Sequence, residues 1–543
     1  MPKISEYDQV TDITESEEFV VNQNGTTKKI TLQQIRSNTG VNLIGIAGDA
    51  GFGVGICPAD ELPSGFTPLS GYADPSNANY GNYQFSDGSV MVWIPKFYYK
   101  VGTGTNGLAV NVIDIKGVDT YDTTSNANAA GYALHRAFID GGAEKSGFFF
   151  DKYQASKNLV GANYVASSIK NGNPISTAAP HNPITDLTGI AVAQYYSAVD
   201  AAKARGAGMF CAAIFMYSAL QILSIAHGQA ATSTTNCAWY LANKNYPKGN
   251  NNNALADTDD ATVTFVSDGY ISGNSSKTGS GTVFAKTTHN GQDCGITDLN
   301  GNMYEIAIGV TCIATTAAIG GMSTAAACEI TWTSHGLVDS DLVMLLGITQ
   351  ADWSGAKDKI WQITKTGDNT FTIPFDSSGF AVAYDAGTDP GTVAKGTFYA
   401  AKQATAMRSF TSGATLATDH WGATGVAAMM DAMSQPPFET VYPNNGFTQR
   451  WGSGANQVLD EATSGAGWLR TACMMPKSKD GIDTTGTNLF GKDYFYQYIV
   501  NLLCAIVGGH WDYTADAGVG SVRWYNTRAS SNAYVGFRAA CFC

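Results

Sequence analysis

Apolar residues along the chain fall mostly into short runs of the kind that form strands. In residues 80–101, YGNYQFSDGSVMVWIPKFYYKV, Val90, Val92 and Ile94 alternate with other large apolar side chains after an Asp-Gly turn. Since neighbouring side chains of a strand point to opposite faces, apolar residues on both parities predict a hairpin that is buried on both faces. A further β segment, SGFFFDKYQASK, is predicted at residues 146–157.

Two segments have the residue spacing of helices. We predict helix in ITDLTGIAVAQYYSAVDAAKARG, residues 184–206, and in GAGMFCAAIFMYSALQILSIAHG, residues 206–228. The second segment is uncharged and long enough to be tested as a membrane span. It contains Tyr217, Ser218 and Gln221, however, and its large apolar residues recur at helical intervals. We therefore interpret it as a buried core helix.

Residues 1–45 have the pattern of a small separate unit. EFVVNQ and TTKKITL are predicted strands on either side of an Asn24-Gly25 turn, and LQQIRS is predicted to form a short helix. The unit has too little apolar surface to fold alone, so we expect it to associate with copies of itself or with a larger body.

Residues 314–397 contain closely spaced short strands: CEITWTSHGL, DLVMLLGI, KIWQITKTGDNTFTIPF and GTVAKGTFYA, with residues 367–369 as a hairpin loop. This pattern predicts a small all-β domain inserted between the two parts of a larger domain, residues 46–313 and 398–543. Residues 245–290 are rich in Asn, Asp, Gly, Ser and Thr and are predicted to be long surface loops. The predicted fold class is α+β with long loops.

Composition and charge exclude some partners. The chain has 32 Lys and Arg against 45 Asp and Glu, a net charge of −13, which argues against nucleic acid because binding phosphates needs clustered cations. The polar, acidic start MPKISEYDQVTDITESEEFVV has neither the cationic end nor the apolar core of a secretory signal. With 44% hydrophobic residues the chain can bury a sizeable core, and no membrane insertion is expected.

Signals for metal or phosphate binding are weak. Ten cysteines without a CxxC pair are expected to be mostly small buried side chains, and seven isolated histidines to be structural or on the surface. GFGVGI at residues 51–56 is interpreted as a flexible joint rather than a phosphate cradle. Oxygen-bearing residues in DLNGNMYE could coordinate calcium, although a turn held by their side-chain hydrogen bonds is favoured. They are Asp298, Asn300, Asn302 and Glu305. No cofactor is expected.

Four motifs, taken in order along the chain, resemble the landmarks of one family. MVWIPKFYYK, SGFFFDKYQASK, GITDLNGNMYE and the closing GGHW…VGFR are similar to those of the formylglycine-generating-enzyme branch of the C-type lectin fold. The resemblance covers residues 52–313 and 398–543. It implies a C-type-lectin-like domain that is interrupted by the small β insertion.

Within this resemblance we expect no enzyme. The sulfatase-activating oxidases of the family hold copper with cysteines that fall between the GG and GFR motifs, and Gly508 to Arg538 contains no cysteine. A related non-haem iron branch needs closely spaced histidines and carboxylates, whereas the histidines here are isolated. A formylglycine-type oxidase remains an alternative.

The other branch consists of phage receptor-binding proteins whose lectin-like domain is diversified by a retroelement, such as the major tropism determinant. Residues 508–538 resemble their variable regions in a GG-x-W start, a central AGV and a GFR end. The segment EFVVNQNGTTKKITLQQI is similar to the attachment ends of tail fibres.

The phage resemblance implies a virion protein, made in the host cytoplasm, at the tail fibre or tail tip. It implies a homotrimer that holds other virion tail proteins through residues 1–45 and binds a host cell-surface protein or glycan. A virion decoration protein without a receptor role is a second alternative.

Parity within residues 508–538 separates a scaffold side from an outward side. The scaffold side chains are Trp511, Val522, Trp524 and Phe537. The outward, receptor-binding set is His510, Asp512, Tyr513, Asp516, Ser521, Arg523, Tyr525, Asn526, Ser530, Asn532 and Tyr534. Tyr and Arg bring large contact area at low rotamer entropy, and Ser, Asn and Asp adapt their hydrogen bonds. We expect four members, each about 2 kcal/mol if buried by a partner, to dominate binding. They are Tyr513, Arg523, Tyr525 and Tyr534.

Overall fold

The computed structural model describes residues 18–23, 26–31, 42–110, 112–240, 248, 256–257, 260–266, 275–282, 284–413, 421, 425–433, 446–448, 472, 474 and 493–543. In this part of the chain the fold is α+β, with strands in several separate sheets. The α-helices are α1 Thr124–Ala129, α2 Ser197–Lys203, α3 Ile214–Ala230 and α4 Val426–Met429. Short 3₁₀ helices span Arg136–Phe138, Ile184–Asp186, Phe284–Thr287, Asp352–Ala356, Met407–Ser409 and Thr514–Asp516.

The strands are short and mostly antiparallel. The first half comprises β1 Glu18–Gln23, β2 Thr26–Thr31, β3 Phe66–Pro68, β4 Asn82–Phe85, β5 Val90–Pro95, β6 Phe97–Val101, β7 Ile113–Gly117, β8 Ala133–Leu134, β9 Ile139–Asp140, β10 Ala143–Glu144, β11 Gly147–Asp151, β12 Ala155–Val160, β13 Asn163–Ser168, β14 Met209–Cys211 and β15 Tyr304–Ala307. The second half comprises β16 Val310–Ala318, β17 Gly321–Met322, β18 Cys328–Thr331, β19 Leu342–Leu346, β20 Ile360–Gln362, β21 Thr364–Lys365, β22 Thr370–Ile373, β23 Thr392–Ala401, β24 Met430–Ala432, β25 Gly446–Thr448, β26 Tyr494–Gln497, β27 Leu503–Val507, β28 Val522–Thr527, β29 Val535–Gly536 and β30 Ala539–Phe542.

A six-stranded sheet in the order β14-β30-β11-β5-β4-β3 is covered on both faces. Val92 and Ile94 pack into the main hydrophobic cluster, whereas Met91 and Trp93 on the opposite parity pack into a smaller one. The predicted hairpin, with Asn82 opposite Val92, is confirmed, and so is its burial on both faces. The β segment predicted at residues 146–157 is confirmed as well, since it contains β11 and the start of β12.

Helix α3 is buried along nearly its whole length within the main cluster, as predicted, but it begins at Ile214, and the start of the predicted helix instead contains strand β14. In the described part of the chain, no helix has both the length and the apolar character needed to cross a membrane. The helix predicted for residues 184–206 is wrong over most of its length, because only one 3₁₀ turn and α2 form there. The backbone amides of Tyr195 and Tyr196 instead donate to the carbonyls of Ser530 and Arg528, at 2.9 and 3.1 Å.

The N-terminal strands β1 and β2 pair antiparallel from Glu18 opposite Thr31 to Gln23 opposite Thr26. The predicted hairpin about Asn24-Gly25 is therefore confirmed. The predicted helix LQQIRS lies outside the described residues.

A second hydrophobic core lies within residues 319–393. Its fully buried members include Ile330, Trp353 and Phe371, and its strands form the sheets β16-β23-β19-β20 and β17-β18-β22-β21. The hairpin loop predicted at residues 367–369 is confirmed between β21 and β22. The long strands β16 and β23 pair over nine residues and lead from the main core into this second one.

Two sequence predictions about loops are wrong. The described part of residues 245–290 is not a set of surface loops, because polar side chains such as Ser276, Thr278 and Asn290 are completely buried. GFGVGI is not a flexible joint, since all six residues are buried and Gly55 lies so close to Pro95 that a Cβ would clash at 2.4 Å. Polar loops can be buried here because their polar groups form hydrogen bonds with other protein groups instead of water.

The turn DLNGNMYE is stitched by buried hydrogen bonds, as favoured from the sequence. Asp298 accepts from Lys248 Nζ at 2.7 Å and from the amide of Gly279 at 2.7 Å. Asn302 Oδ1 accepts from the amide of Ser276 at 2.8 Å. Both Asp298 and Asn302 adopt positive φ, 58° and 63°, which Asp and Asn tolerate better than most residues. The side-chain oxygens of Asp298 and Asn302, two of the four residues considered for calcium, are thus engaged by protein donors.

One buried arginine joins three of the sequence motifs. Arg538 Nε donates to Glu305 Oε2 at 2.8 Å, and its Nη1 donates to the carbonyls of Asp151 and Lys152. Tyr217 of α3 donates to the same Glu305 oxygen at 2.8 Å. This network fixes the end of the chain against β11, β15 and α3, which positions the segment before it.

Candidate functional site

Strand β28 has one buried and one accessible side. Val522 and Trp524 are fully buried, while Arg523 is half-buried and Tyr525 is 40% exposed. Trp524 stacks on Phe398 with ring centroids 5.6 Å apart. The predicted alternation of scaffold and outward residues is confirmed for these four positions.

The neighbouring strand β26 supplies a row of tyrosines beside β28. The two strands are parallel, with Tyr496 opposite Arg523. The rings of Tyr494 and Tyr496 stack at 5.7 Å, and those of Tyr496 and Tyr498 at 5.4 Å. Tyr525 packs edge-on against Tyr498 at 4.6 Å. The row is half-buried, so part of each ring is accessible.

Arg523 lies among four tyrosine rings. Its Cζ is 5.0 Å from the ring centroid of Tyr525 and 5.2 Å from that of Tyr496, with Tyr513 and Tyr304 at 5.8 and 6.0 Å. These distances are those of cation–π contacts. Burial opposes the charge, but the electrostatic effect of nearby tyrosines outweighs it, so the pKa of Arg523 is raised; these tyrosines are Tyr304, Tyr513, Tyr534 and Tyr496.

A second group of rings adjoins Arg523. His510 stacks on Tyr534 with centroids 4.4 Å apart, and Tyr513 lies 4.5 Å from His510. Tyr304, at the start of β15, contacts both His510 and Tyr513. We call the accessible residues together the aromatic surface: Tyr494, Tyr496, Tyr498, Tyr513, Arg523, Tyr525 and Tyr534. Tyr304 and His510 are buried and pack against them.

Two residues of the predicted outward set are buried, which corrects the sequence prediction. His510 is only 9% exposed, and burial, helped by the charge of Arg523, lowers its pKa to about 3. Ser521 is 1% exposed, and its Oγ donates to the carbonyl of Tyr494 at 3.3 Å. His510 follows two glycines of positive φ, Gly508 and Gly509, and Ser521 ends a turn just before the strand.

Three further predicted residues are half-buried and hold the loop after β28. Asn526 and Asn532 both donate to the hydroxyl of buried Tyr195, at 3.1 and 2.6 Å. Ser530 Oγ accepts from the amide of Thr527 at 3.1 Å. These polar groups therefore have structural partners, which sequence parity alone did not indicate.

The remaining predicted positions lie near the aromatic surface or beneath it. Asp512 and Asp516 are half-buried around the 3₁₀ turn Thr514–Asp516. Trp511 and Phe537 are buried, at 3% and 1% exposed, as expected of anchors. The four residues predicted to dominate binding all belong to one continuous cluster of contacting side chains. They are Tyr513, Arg523, Tyr525 and Tyr534.

Four tyrosines of this region were not predicted from the sequence: Tyr304, Tyr494, Tyr496 and Tyr498. The last three recur at every second position in DYFYQYIV, a period-2 pattern that places them on one face of a strand. That signal was available. The sequence contains no comparable signal for Tyr304, because only the pairing of β15 with β29 brings it beside Tyr534.

Cysteines and histidines in the described residues form no metal site. No group of three or more His, Cys, Asp or Glu side chains is close enough there to hold an ion. Eight of the nine described cysteines are buried, as expected for most of them, and His135, His227 and His289 are completely buried. Cys473 and His420 lie outside the described residues. Cys57 and Cys543 approach each other, with sulfurs 3.6 Å apart.

No protein-family model matches this chain, and comparison with curated proteins finds no match.

Proposed function

We propose that this chain is a receptor-binding protein of a phage particle, whose C-type-lectin-like C-terminal region binds a host cell-surface molecule through the aromatic surface. The observation that carries the proposal is the accessible cluster of tyrosines around Arg523. Tyr and Arg are the side chains most enriched among residues that dominate binding energy, and Tyr-rich surfaces are the physical solution used by antibody combining sites.

The separation of framework from presented groups supports the same proposal. Val522 and Trp524 hold β28 in the core while Arg523 and Tyr525 on the other parity remain accessible. Because the two sets do not overlap on β28, Arg523 and Tyr525 can change with little cost to folding. A surface that is varied by mutation needs this property.

The lectin-like identity is supported by how three of the four resembling motifs meet. Arg538 of VGFR binds Glu305 of GNMYE and the backbone of Asp151 and Lys152 in FFFDKYQ. The N-terminal hairpin would attach the protein to the virion, and trimerisation would raise the avidity of individually weak sites.

The proposal is tested by host adsorption of particles that carry Tyr525→Ala or Tyr496→Ala. We expect each to weaken adsorption roughly 30-fold, which corresponds to about 2 kcal/mol. Tyr164→Ala is the matched control, because Tyr164 is 44% exposed on β13, outside the aromatic surface. Unchanged adsorption of the folded Tyr525 and Tyr496 variants would overturn a receptor role for this surface and favour a decoration protein.

A further inference from the structure

Arg523 differs from the other arginines that the structure describes. Arg205 and Arg538 pair with carboxylates, and the other three donate to backbone carbonyl oxygens. Those three are Arg136, Arg408 and Arg528. Arg523 alone among the described arginines has no oxygen acceptor: the side chain as a whole is half-buried, and its Nε–H is buried without a hydrogen-bond partner.

The rings around Arg523 do not replace an acceptor. A tyrosine face stabilises the positive charge, but the N–H groups of guanidinium lie in its plane and need oxygen atoms to accept their hydrogen bonds. A planar carboxylate matches the guanidinium fork with two parallel hydrogen bonds. Aromatic walls that exclude water strengthen such a pair.

We propose that Arg523 is the anchor for one carboxylate side chain, Asp or Glu, of a protein on the host surface. This inference rests on the proposed receptor role and specifies the chemistry of the partner. A protein is favoured over an acidic polysaccharide because the chain carries a net charge of −13, and a polyanion would be repelled along its whole length. A single acidic side chain on a neutral or basic protein is repelled far less.

The first test compares particles carrying Arg523→Lys and Arg523→Gln with the unaltered protein in adsorption to permissive cells. Lysine keeps the charge and loses the fork, so we expect both variants to adsorb at least tenfold more weakly. Near-ultraviolet circular dichroism checks that the fold is kept. Adsorption within twofold of the unaltered protein would overturn the anchor role.

The second test uses the same cells after their surface carboxylates have been converted to neutral amides with carbodiimide and glycinamide. Adsorption of the unaltered particles to treated cells should be weaker by the same factor that Arg523→Gln causes on untreated cells. Arg523→Gln particles should adsorb equally to treated and untreated cells. Protease treatment should also abolish adsorption. Full adsorption to protease-treated cells would overturn the protein partner and point to an acidic glycan.

The two proposals fail separately. Loss of adsorption with Tyr525→Ala but not with the Arg523 variants keeps the receptor role and removes the carboxylate anchor. No loss with either residue removes both.

Discussion

Asp493 is a completely buried carboxylic acid beneath the turn that leads into β28. Its Oδ2 accepts from the amide of Gly520 at 2.8 Å, while Oδ1 has no hydrogen-bond partner. Burial raises its pKa well above the usual range, and the charge of Asp516 adds to this. The folded protein therefore holds a proton that the unfolded chain releases at the same pH.

We predict that Asp493→Asn stabilises the protein at neutral pH. The pKa of Asp493 is higher in the folded protein than in the unfolded chain. The stabilisation that its bound proton gives is therefore complete below about pH 4, the unfolded pKa, and is lost as pH rises through the folded pKa. Asparagine keeps an acceptor for Gly520 and carries no charge. The difference in Tm between variant and unaltered protein should grow from pH 4 to pH 8. A constant offset, or a less stable variant throughout, would contradict this account.

Buried histidines should set the acid limit of stability. Burial lowers the pKa of both His135 and His289 to about 3, below the usual value near 6.5. The unfolded state binds these protons first, so stability is present above about pH 6.5 and is lost as pH falls towards 3. Each histidine contributes at most about 1.4 kcal/mol per pH unit in that window.

His289→Gln should make this pH dependence shallower. His289 Nε2 lies 3.1 Å from the carbonyl of Gly53, and its Nδ1 accepts from the amide of Ile296, a donor and acceptor pair that glutamine can imitate. Urea unfolding from pH 4 to pH 7 measures the slope. An unchanged slope would mean that His289 does not take up a proton in this range.

At the scale of elements, the turn between β27 and β28 decides which side chains the aromatic surface presents. Gly508 and Gly509 have φ of 91° and 80°, values that favour glycine. A Cβ on Gly509 would lie 2.6 Å from that of Ala517. The turn can close only because this side chain is absent.

Gly509→Ala should therefore weaken both folding and adsorption. Gly161→Ala is a matched control, since Gly161 has φ of 62° but open space around its Cα. The control measures only the cost of placing alanine at positive φ, a loss of about 1 kcal/mol in unfolding free energy. Gly509→Ala should lose more, because its Cβ also clashes with Ala517. Chemical unfolding of both variants gives the comparison. Equal losses would show that the turn relaxes easily.

Predictability from sequence also differs between elements. Which side chains of β28 face the core could be predicted, because alternation along a strand is a local property. This holds for Val522, Arg523, Trp524 and Tyr525. The burial of Ser521 was not, since a turn lies just before the strand. The helix prediction for residues 184–206 was wrong because the backbone there donates hydrogen bonds to a segment more than 300 residues later in the chain. The spacing of apolar residues along the chain does not report such long-range pairing.

At the scale of the molecule, residues 319–391 should be removable. Ala318 and Thr392 are directly opposite in the β16–β23 ladder, so an Asn-Gly turn can join them. Met344 belongs to the main cluster, and losing it should cost about 2–5 kcal/mol of unfolding free energy. Adsorption should stay within about twofold. Collapse of the remaining fold would show that the second core supports the first.

The six-stranded sheet β14-β30-β11-β5-β4-β3 can be completed only late in synthesis. Strand β30 lies between β14 and β11, with Cys541 opposite Met209 and Phe542 opposite Phe148. Until residue 542 has been synthesised, each of those two earlier strands has an unpaired edge for roughly 15 to 80 seconds at about 5–20 residues per second. Unpaired strand edges can pair with other chains, so we expect nascent chains to be most prone to association before residue 542 is synthesised.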